Sequence, residues 1–164
     1  FPLIPYNVPG RTGVNMTAAT TIALSKIDTI VGVKEASGDV MQISQIAQAA
    51  APEFDILSGD DCLTLPILAV GGKGVISVTA NIMPAKVAGV AKAWLAGDHD
   101  KARREHLALI DLHSAMFIET NPIPVKTALS LMGKVAEEFK LPLTPMEPAN
   151  RDKLAAVLKA YGCL

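Results

Sequence analysis

Short apolar runs alternate with amphipathic segments through the first part of the chain. Four runs have β-strand composition, at 1–7, 30–35, 55–58 and 74–78. The segments that follow them repeat apolar residues at helical spacing, at 17–26, 41–50, 62–70 (bent at Pro66) and 84–96. Strands that alternate with helices in this way predict an α/β fold, a parallel sheet with helices outside it.

The pattern changes after residue 97, where no further strand is indicated. Helices are predicted at 100–118, 121–132 and 152–161. We therefore divide the chain into a βα part, 1–97, and a helical subdomain, 98–164. Residues 8–13 are predicted to be a loop because they contain Pro9, Gly10 and Gly13.

Four βα units are too few for a closed barrel, since a (β/α)8 TIM barrel needs eight units in about 250 residues. An open doubly wound sheet usually has a glycine-rich phosphate loop after its first strand, and Pro-Gly-Arg-Thr-Gly at 9–13 does not have that spacing. The chain also starts at Phe1, inside a predicted strand. We expect a truncated chain that holds the last four βα units of a (β/α)8 barrel.

The composition limits which binding partners and cellular locations are plausible. Half of the 164 residues are hydrophobic and 19% are charged, which is typical of an ordered globular chain. The net charge of −1 gives no basic field for nucleic acid. The longest apolar run, 63–70, is interrupted by Pro66 and is too short to cross a membrane. No signal peptide is visible, so a cytoplasmic location is predicted.

The spacing of the cysteines and histidines does not indicate a metal site or a disulfide framework. Cys62 and Cys163 have neither metal-ligand spacing nor the pattern of a disulfide framework. His99, His106 and His113 recur every seven residues among polar neighbours. This spacing predicts the solvated face of one helix rather than a metal site.

Lys34 is the first candidate for chemistry, because it lies at the end of the apolar strand 30–35. Burial disfavours the charged ammonium and lowers the pKa of a lysine. A neutral amine is a nucleophile that forms Schiff bases with ketones and aldehydes. The alternative is a structural lysine that pairs with Glu35 or another neighbour.

Two further stretches have simpler interpretations. Asp60 and Asp61 could bind a cation, but adjacent carboxylates before a helix also cap that helix, and we favour the cap. The run Gly71-Gly72-Lys73-Gly74 lacks the spacing of a phosphate loop and precedes a strand, so it is predicted to be a turn.

Several motifs together resemble one family. They are Tyr-Asn-Val-Pro-Gly-Arg-Thr-Gly at 6–13, Gly-Val-Lys-Glu-Ala at 32–36, Ser-Gly-Asp-Asp at 58–61, Gly-Val-Ile-Ser at 74–77 and Asn-Pro-Ile-Pro-Val-Lys at 121–126. The chain is similar to the C-terminal portion of the dihydrodipicolinate synthase family. That family belongs to the pyruvate-dependent class I aldolases, which include N-acetylneuraminate lyase.

The resemblance implies specific roles. Lys34 would form the Schiff base with pyruvate, and Tyr6 would transfer protons together with a threonine and a second tyrosine that belong to the N-terminal half of the family's proteins. Arg11 would hold the carboxylate of L-aspartate 4-semialdehyde, while Gly59 and the backbone carbonyl of Ile76 would contact pyruvate. The product would be 4-hydroxy-tetrahydrodipicolinate, a precursor of lysine and diaminopimelate.

The resemblance also implies that no metal or organic cofactor takes part, because the protonated imine is the electron sink. It further implies a homo-oligomer, commonly a tetramer, for the full-length protein. We expect the isolated fragment to be inactive.

Three alternatives remain open at this point. A related aldolase could use the same Schiff base with N-acetylneuraminate or a 2-keto-3-deoxy sugar acid, although Arg11 favours the synthase. The chain could be a non-catalytic piece that requires its missing half, since the outer strands of an incomplete barrel have unpaired edges. A phosphate-binding barrel of unrelated chemistry would need a better phosphate loop than Thr-Ala-Asn at 79–81.

Overall fold

A computed structural model describes residues 1–164 and contains one parallel sheet of four strands. The strands are β1 Tyr6–Asn7, β2 Gly32–Glu35, β3 Asp55–Ser58 and β4 Gly74–Val75. They lie side by side in the order β1-β2-β3-β4, and every neighbouring pair is parallel. The predicted α/β architecture is therefore correct for the first part of the chain.

Helices connect the strands, and further helices come after the last strand in the chain. They are α1 Pro9–Thr12, α2 Ala18–Leu24, α3 Val40–Ala49, α4 Thr64–Ala69, α5 Pro84–Leu95, α6 His99–Leu107, α7 Ile110–Ala115, α8 Ile123–Leu131 and α9 Pro148–Ala160. Short 3-10 helices lie at Asp61–Leu63 and Thr79–Asn81. None of these helices is long and apolar enough to cross a membrane.

Local sequence signals set several helix starts. The Thr17 side chain accepts a hydrogen bond from the Thr20 N–H before α2. Asp39 accepts from the N–H groups of Met41 and Gln42 before α3. Side-chain oxygens at this position satisfy N–H groups that have no partner inside the helix. Pro84 occupies the first turn of α5, where its missing N–H costs nothing.

The first strand is shorter than predicted. Only Tyr6–Asn7 is strand, and Leu3 makes a single isolated bridge with Ile30. Pro2 and Pro5 have no N–H to donate, which prevents a continuous ladder through 1–7. The loop predicted at 8–13 is also partly wrong, because α1 forms one helical turn there.

The single helix predicted at 100–118 is in fact two helices, α6 and α7. Between them, the carbonyl of Ala108 accepts a hydrogen bond of 2.8 Å from the Tyr161 hydroxyl. The last helix begins at Pro148, earlier than the predicted start at residue 152. The side-chain Nδ2 of Asn150, in its first turn, donates to Glu119 at 2.9 Å.

The interpretation of the three histidines as a solvated face is wrong for two of them. His106 and His113 are buried, with 6% and 2% of their surface exposed. Their face packs inward, because α6 lies along α5 and α7 contacts the 3-10 helix Asp61–Leu63. Only His99 is exposed, and its ring stacks on Trp94 with centroids 4.2 Å apart.

Two apolar clusters form the core. The smaller one lies between the sheet and the helices α3 and α4, and its buried members are Val33, Ile43, Ile46, Phe54, Ile56 and Ile67. The larger one joins α4 and α5 to the later helices, with fully buried Leu112, Met116, Leu154 and Leu158. This larger cluster contains residues from both sides of position 97, and the division at 97/98 stays a prediction.

Candidate active site

A cavity of about 440 Å³ lies beyond the C-terminal ends of the first three strands. In a parallel sheet these ends meet at one edge, and ligands usually bind there. Six residues in its wall carry polar groups or closely approaching backbone: Tyr6, Arg11, Lys34, Gly59, Asp60 and Asn121.

Tyr6 and Lys34 meet inside this cavity. They are paired in register on β1 and β2, so their side chains leave the same face of the sheet. The Lys34 Nζ atom lies 4.0 Å from the centroid of the Tyr6 ring. At this distance the ring face stabilises the ammonium form of the lysine.

The surroundings of Lys34 lower its pKa below the ordinary value of 10.5. The largest cause is burial, which removes water from the ammonium group. The carboxylate of Asp61 acts in the opposite direction, while the positive charge of Arg11 lowers the pKa further. The lowered pKa increases the fraction of neutral amine, which is the nucleophilic form.

Arg11 reaches the cavity from α1, although the sequence placed it in a loop. Its guanidinium nitrogens lie 3.4 and 3.5 Å from the carbonyl oxygen of Asn121 and donate to it. These long bonds leave most of the five guanidinium N–H groups for other partners. A guanidinium held in this way suits a carboxylate.

Gly59 is required by close packing. Its N–H donates to the Glu35 carbonyl at 2.7 Å. A Cβ atom at this position would lie 2.8 Å from the Ala36 Cβ and 3.1 Å from the Tyr6 ring atom Cε2. A side chain here would therefore displace the tyrosine.

Ile76 is the one predicted site residue that does not line the cavity. It follows β4, and its N–H donates to the Ser58 carbonyl at 2.9 Å. The contact of its own carbonyl with pyruvate stays a prediction.

The two adjacent aspartates have different roles. Asp60 caps the 3-10 helix that follows it, accepting from the Cys62 N–H at 2.8 Å, as the cap interpretation predicted. Asp61 is buried and accepts hydrogen bonds from the Ser77 hydroxyl and from the N–H groups of Val78 and Thr79. No group of three or more His, Cys, Asp or Glu residues could hold a metal ion.

Sequence reasoning missed two parts of the site. Asn121 lines the cavity although it lies 110 residues after Arg11, and nothing in its local sequence indicates that contact. The buried pair Asn7 and Glu35 was also missed. Its signal was available, because each residue directly follows a predicted catalytic residue on its strand.

Comparison with known proteins identifies close relatives. The model of the dihydrodipicolinate synthetase family matches residues 1–161. A 4-hydroxy-tetrahydrodipicolinate synthase of Pelobacter propionicus is 52% identical over 164 residues, which is 100% of this chain and 57% of the relative.

Solved structures agree with this similarity. Dihydrodipicolinate synthase from Aquifex aeolicus superimposes with a TM-score of 0.97 at 47% identity, over 99% of this chain and 56% of that protein. The synthase from Acinetobacter baumannii, solved with pyruvate, gives a TM-score of 0.96 at 40% identity, over 100% and 56%.

The chain thus spans just over half the length of the relatives it matches. This share does not say which part of them it corresponds to, and the assignment to their C-terminal portion stays a prediction.

Proposed function

Because the chain belongs to the dihydrodipicolinate synthetase family, we propose that the complete protein condenses pyruvate with L-aspartate 4-semialdehyde. The product is 4-hydroxy-tetrahydrodipicolinate, which serves lysine and diaminopimelate biosynthesis. The observation that carries this proposal is the position of Lys34. Its Nζ atom faces the Tyr6 ring in a cavity that Arg11 also enters.

In the first step the neutral Lys34 amine attacks the keto carbon of pyruvate. The carbinolamine that forms loses water and becomes a protonated imine. The lowered pKa of Lys34 supports this step, since an ammonium group has no lone pair for attack. No cofactor is required, because the positive imine nitrogen accepts electron density from the neighbouring carbon.

Tyr6 is the proton-transfer group in this proposal. Forming the carbinolamine, expelling water and removing a proton from the pyruvate methyl group each need a proton to move near the Lys34 nitrogen. Tyr6 is paired with Lys34 on the adjacent strand, so its phenol is carried close to that nitrogen. A positioned acid–base group of this kind contributes about 10²- to 10⁴-fold to rate.

Loss of the methyl proton gives an enamine, whose carbon attacks the aldehyde carbon of aspartate semialdehyde. The new carbon–carbon bond leaves an alcohol at the former aldehyde. The amino group of the adduct then attacks the imine carbon and displaces Lys34, which closes the ring. One water is released overall. Arg11 binds the carboxylate of the aldehyde substrate, and Gly59 and Ile76 contact pyruvate.

The sheet is the part of the fold that this chemistry needs. We propose that β1 to β4 are four of the eight strands of a (β/α)8 barrel, with 98–164 as a helical subdomain. The support is the consecutive parallel order of the strands and the similarity to synthase structures of nearly twice the length. The complete protein would act as a homo-oligomer, a tetramer by family resemblance.

Borohydride reduction in the presence of pyruvate tests the proposal in the complete protein. Mass spectrometry of peptides should find a reduced pyruvate adduct on Lys34. Lys34→Arg should abolish it, whereas Lys26→Arg, at an exposed lysine, should leave the adduct intact. An adduct on another residue, or no adduct in the complete protein, would contradict the proposal.

A substrate comparison separates the synthase from the related aldolases. Complete protein that has not been treated with borohydride should turn over aspartate semialdehyde with pyruvate and should not cleave N-acetylneuraminate or 2-keto-3-deoxy sugar acids. Preferential cleavage of a sugar acid would mean that the aldehyde substrate is not aspartate semialdehyde, while the Schiff base at Lys34 would still stand.

A further inference from the structure

A fully buried carboxylate lies directly behind the proposed active site. Glu35 follows Lys34 on β2, and its side chain has 0% exposed surface. Neighbouring residues of a strand point to opposite faces. Lys34 therefore faces the cavity, and Glu35 faces the helices α2 and α3. No arginine, lysine or histidine forms an ion pair with Glu35, so neutral donors alone satisfy it.

These donors come from the ends of two strands and one helix. Asn7 Nδ2 donates to both carboxylate oxygens at 3.0 Å. The Ser37 N–H donates to Oε1 at 2.7 Å, and Gln42 Nε2 lies 3.4 Å from Oε2. Asn7 and Glu35 are paired in register directly beside the pair Tyr6 and Lys34.

The third strand is tied to the same residue through the backbone. The Gly59 N–H donates to the Glu35 carbonyl at 2.7 Å, and Gly59 packs against the Tyr6 ring. Glu35 thus joins the ends of β1, β2 and β3, the three points from which Tyr6, Lys34 and Gly59 reach the cavity.

The network requires an acceptor at position 35. The Met16 N–H donates to Asn7 Oδ1 at 2.9 Å, which fixes the orientation of the Asn7 amide and turns its NH₂ group toward Glu35. The Met16 carbonyl lies 3.2 Å from Gln42 Nε2 and fixes that amide in the same way. The Ser37 N–H can only donate. Every group that faces Glu35 is therefore a donor.

We propose that Glu35 is a positioning residue, whose buried carboxylate holds Lys34 and Tyr6 at the separation that Schiff-base chemistry needs. This inference rests on the proposed function, because the separation of Lys34 and Tyr6 matters only if the two residues carry out Schiff-base chemistry. A buried carboxylate without a cationic partner is costly to a fold. Its purpose is geometric: it is the one side chain that can accept from β1, from the segment after β2 and from α3 together.

Glu35→Gln provides the sharpest test, since the shape is kept but one oxygen becomes an NH₂ group. That group must face a donor, so the strand ends separate while most of the packing remains. In the complete protein we expect kcat and the rate of pyruvate trapping to fall about 10- to 100-fold, as for a small misplacement of reacting groups. The KM for pyruvate should change much less than kcat.

Gln42→Leu is the matched control. Gln42 belongs to the same network, is also buried, and ties α3 to residues 15 and 16. Its own bond to Glu35 is the longest of the set at 3.4 Å, and its loss leaves the bonds of Glu35 with Asn7 and with the Ser37 N–H in place. Its loss should lower the thermal midpoint but leave kcat close to wild type. If kcat falls in both variants in proportion to their loss of stability, Glu35 has only a structural role and the proposal is overturned.

A second measurement does not depend on pyruvate. Reductive methylation of Lys34 with formaldehyde and cyanoborohydride, followed by peptide mass spectrometry, gives the pH profile of its amine. Glu35→Gln should shift this profile to higher pH, because a displaced Lys34 regains hydration; Gln42→Leu should not shift it.

The two measurements separate the two proposals. If wild-type protein fails to trap pyruvate, the proposed function fails, and the methylation profile alone decides the role of Glu35. If wild-type protein traps pyruvate but Glu35→Gln changes neither kcat nor the methylation profile, the positioning role is wrong.

Discussion

The Nζ atom of Lys34 lies 4.0 Å from the centroid of the Tyr6 ring, on the neighbouring parallel strand. The strand pairing brings together an amine with a lowered pKa and a phenol. The same pairing places Asn7 beside Glu35 on the opposite face of the sheet. One register thus sets both the pair Tyr6 and Lys34 in the cavity and the buried pair Asn7 and Glu35 behind it.

Tyr6→Phe keeps the ring beneath Lys34 and removes only the hydroxyl. We expect kcat to fall by about 100-fold or more, the size of a lost acid–base group, with little change in stability. Steady-state kinetics of the complete protein would measure this. Tyr161→Phe is the matched control: it loses a hydrogen bond to Ala108, which costs about 1 kcal/mol, and should leave kcat unchanged. A Tyr6→Phe protein of wild-type activity would remove Tyr6 from the mechanism.

Arg11→Lys keeps the positive charge but loses the planar fork that contacts a carboxylate at two points. We expect the KM for aspartate semialdehyde to rise about tenfold or more, which corresponds to roughly 1.4 kcal/mol, while the KM for pyruvate stays nearly constant. Arg103→Lys, at an exposed arginine paired with Asp100, is the control and should change neither constant. An equal rise of both KM values would mean that Arg11 shapes the cavity instead of selecting the aldehyde.

Gly59→Ala should disturb the site through a single methyl group. The new Cβ would contact Ala36 and the Tyr6 ring at 2.8 and 3.1 Å, distances at which the ring must move. We expect a large loss of kcat and a destabilisation of about 1–3 kcal/mol, as for overpacking. Gly74→Ala is the matched control on β4, since its Cβ would meet only Leu57 at 3.7 Å. If the two variants behave alike, the close packing at Gly59 has no special role.

His106 and His113 should make the fold sensitive to acid. Burial lowers the pKa of both below the ordinary value of 6.5, and for His113 it outweighs the carboxylate of Asp61, which lies 3.9 Å away. The unfolded chain therefore binds more protons than the native one when the pH falls through about 6.5. Stability is complete above this pH and is lost progressively below it, by up to about 1.4 kcal/mol per pH unit for each histidine.

Urea unfolding at several pH values between 5 and 7.5 would measure this dependence. His106→Gln combined with His113→Gln should flatten the curve below pH 6.5, although it lowers stability at neutral pH. His99→Gln removes an exposed histidine and serves as the control. A wild-type curve that stays flat to pH 5 would contradict the prediction.

Local signals were sufficient to predict the order of the elements and to single out Lys34 as a candidate for chemistry. Apolar periodicity placed every strand and most helices, and the caps at Thr17, Asp39 and Pro84 depend on neighbours within one turn. Lys34 could be singled out because a charged residue at the end of an apolar strand conflicts with its surroundings. The family motifs added Tyr6 and Arg11, which line the same cavity.

The sequence by itself therefore determined the alternation of strands and helices, because apolar period and capping depend on short-range chemistry. The pairing of Lys34 with Tyr6 joins two separate strands, and the structure supplied it. Only the tertiary structure decided where α6 ends, since Tyr161 contacts Ala108 from the end of the chain. It also decided that His106 and His113 are buried and that Glu35 faces donors alone. Each of these outcomes depends on which residues from distant parts of the chain pack against a given side chain. The hydrophobic pattern shows that a residue is apolar or polar, but it does not specify those contacts.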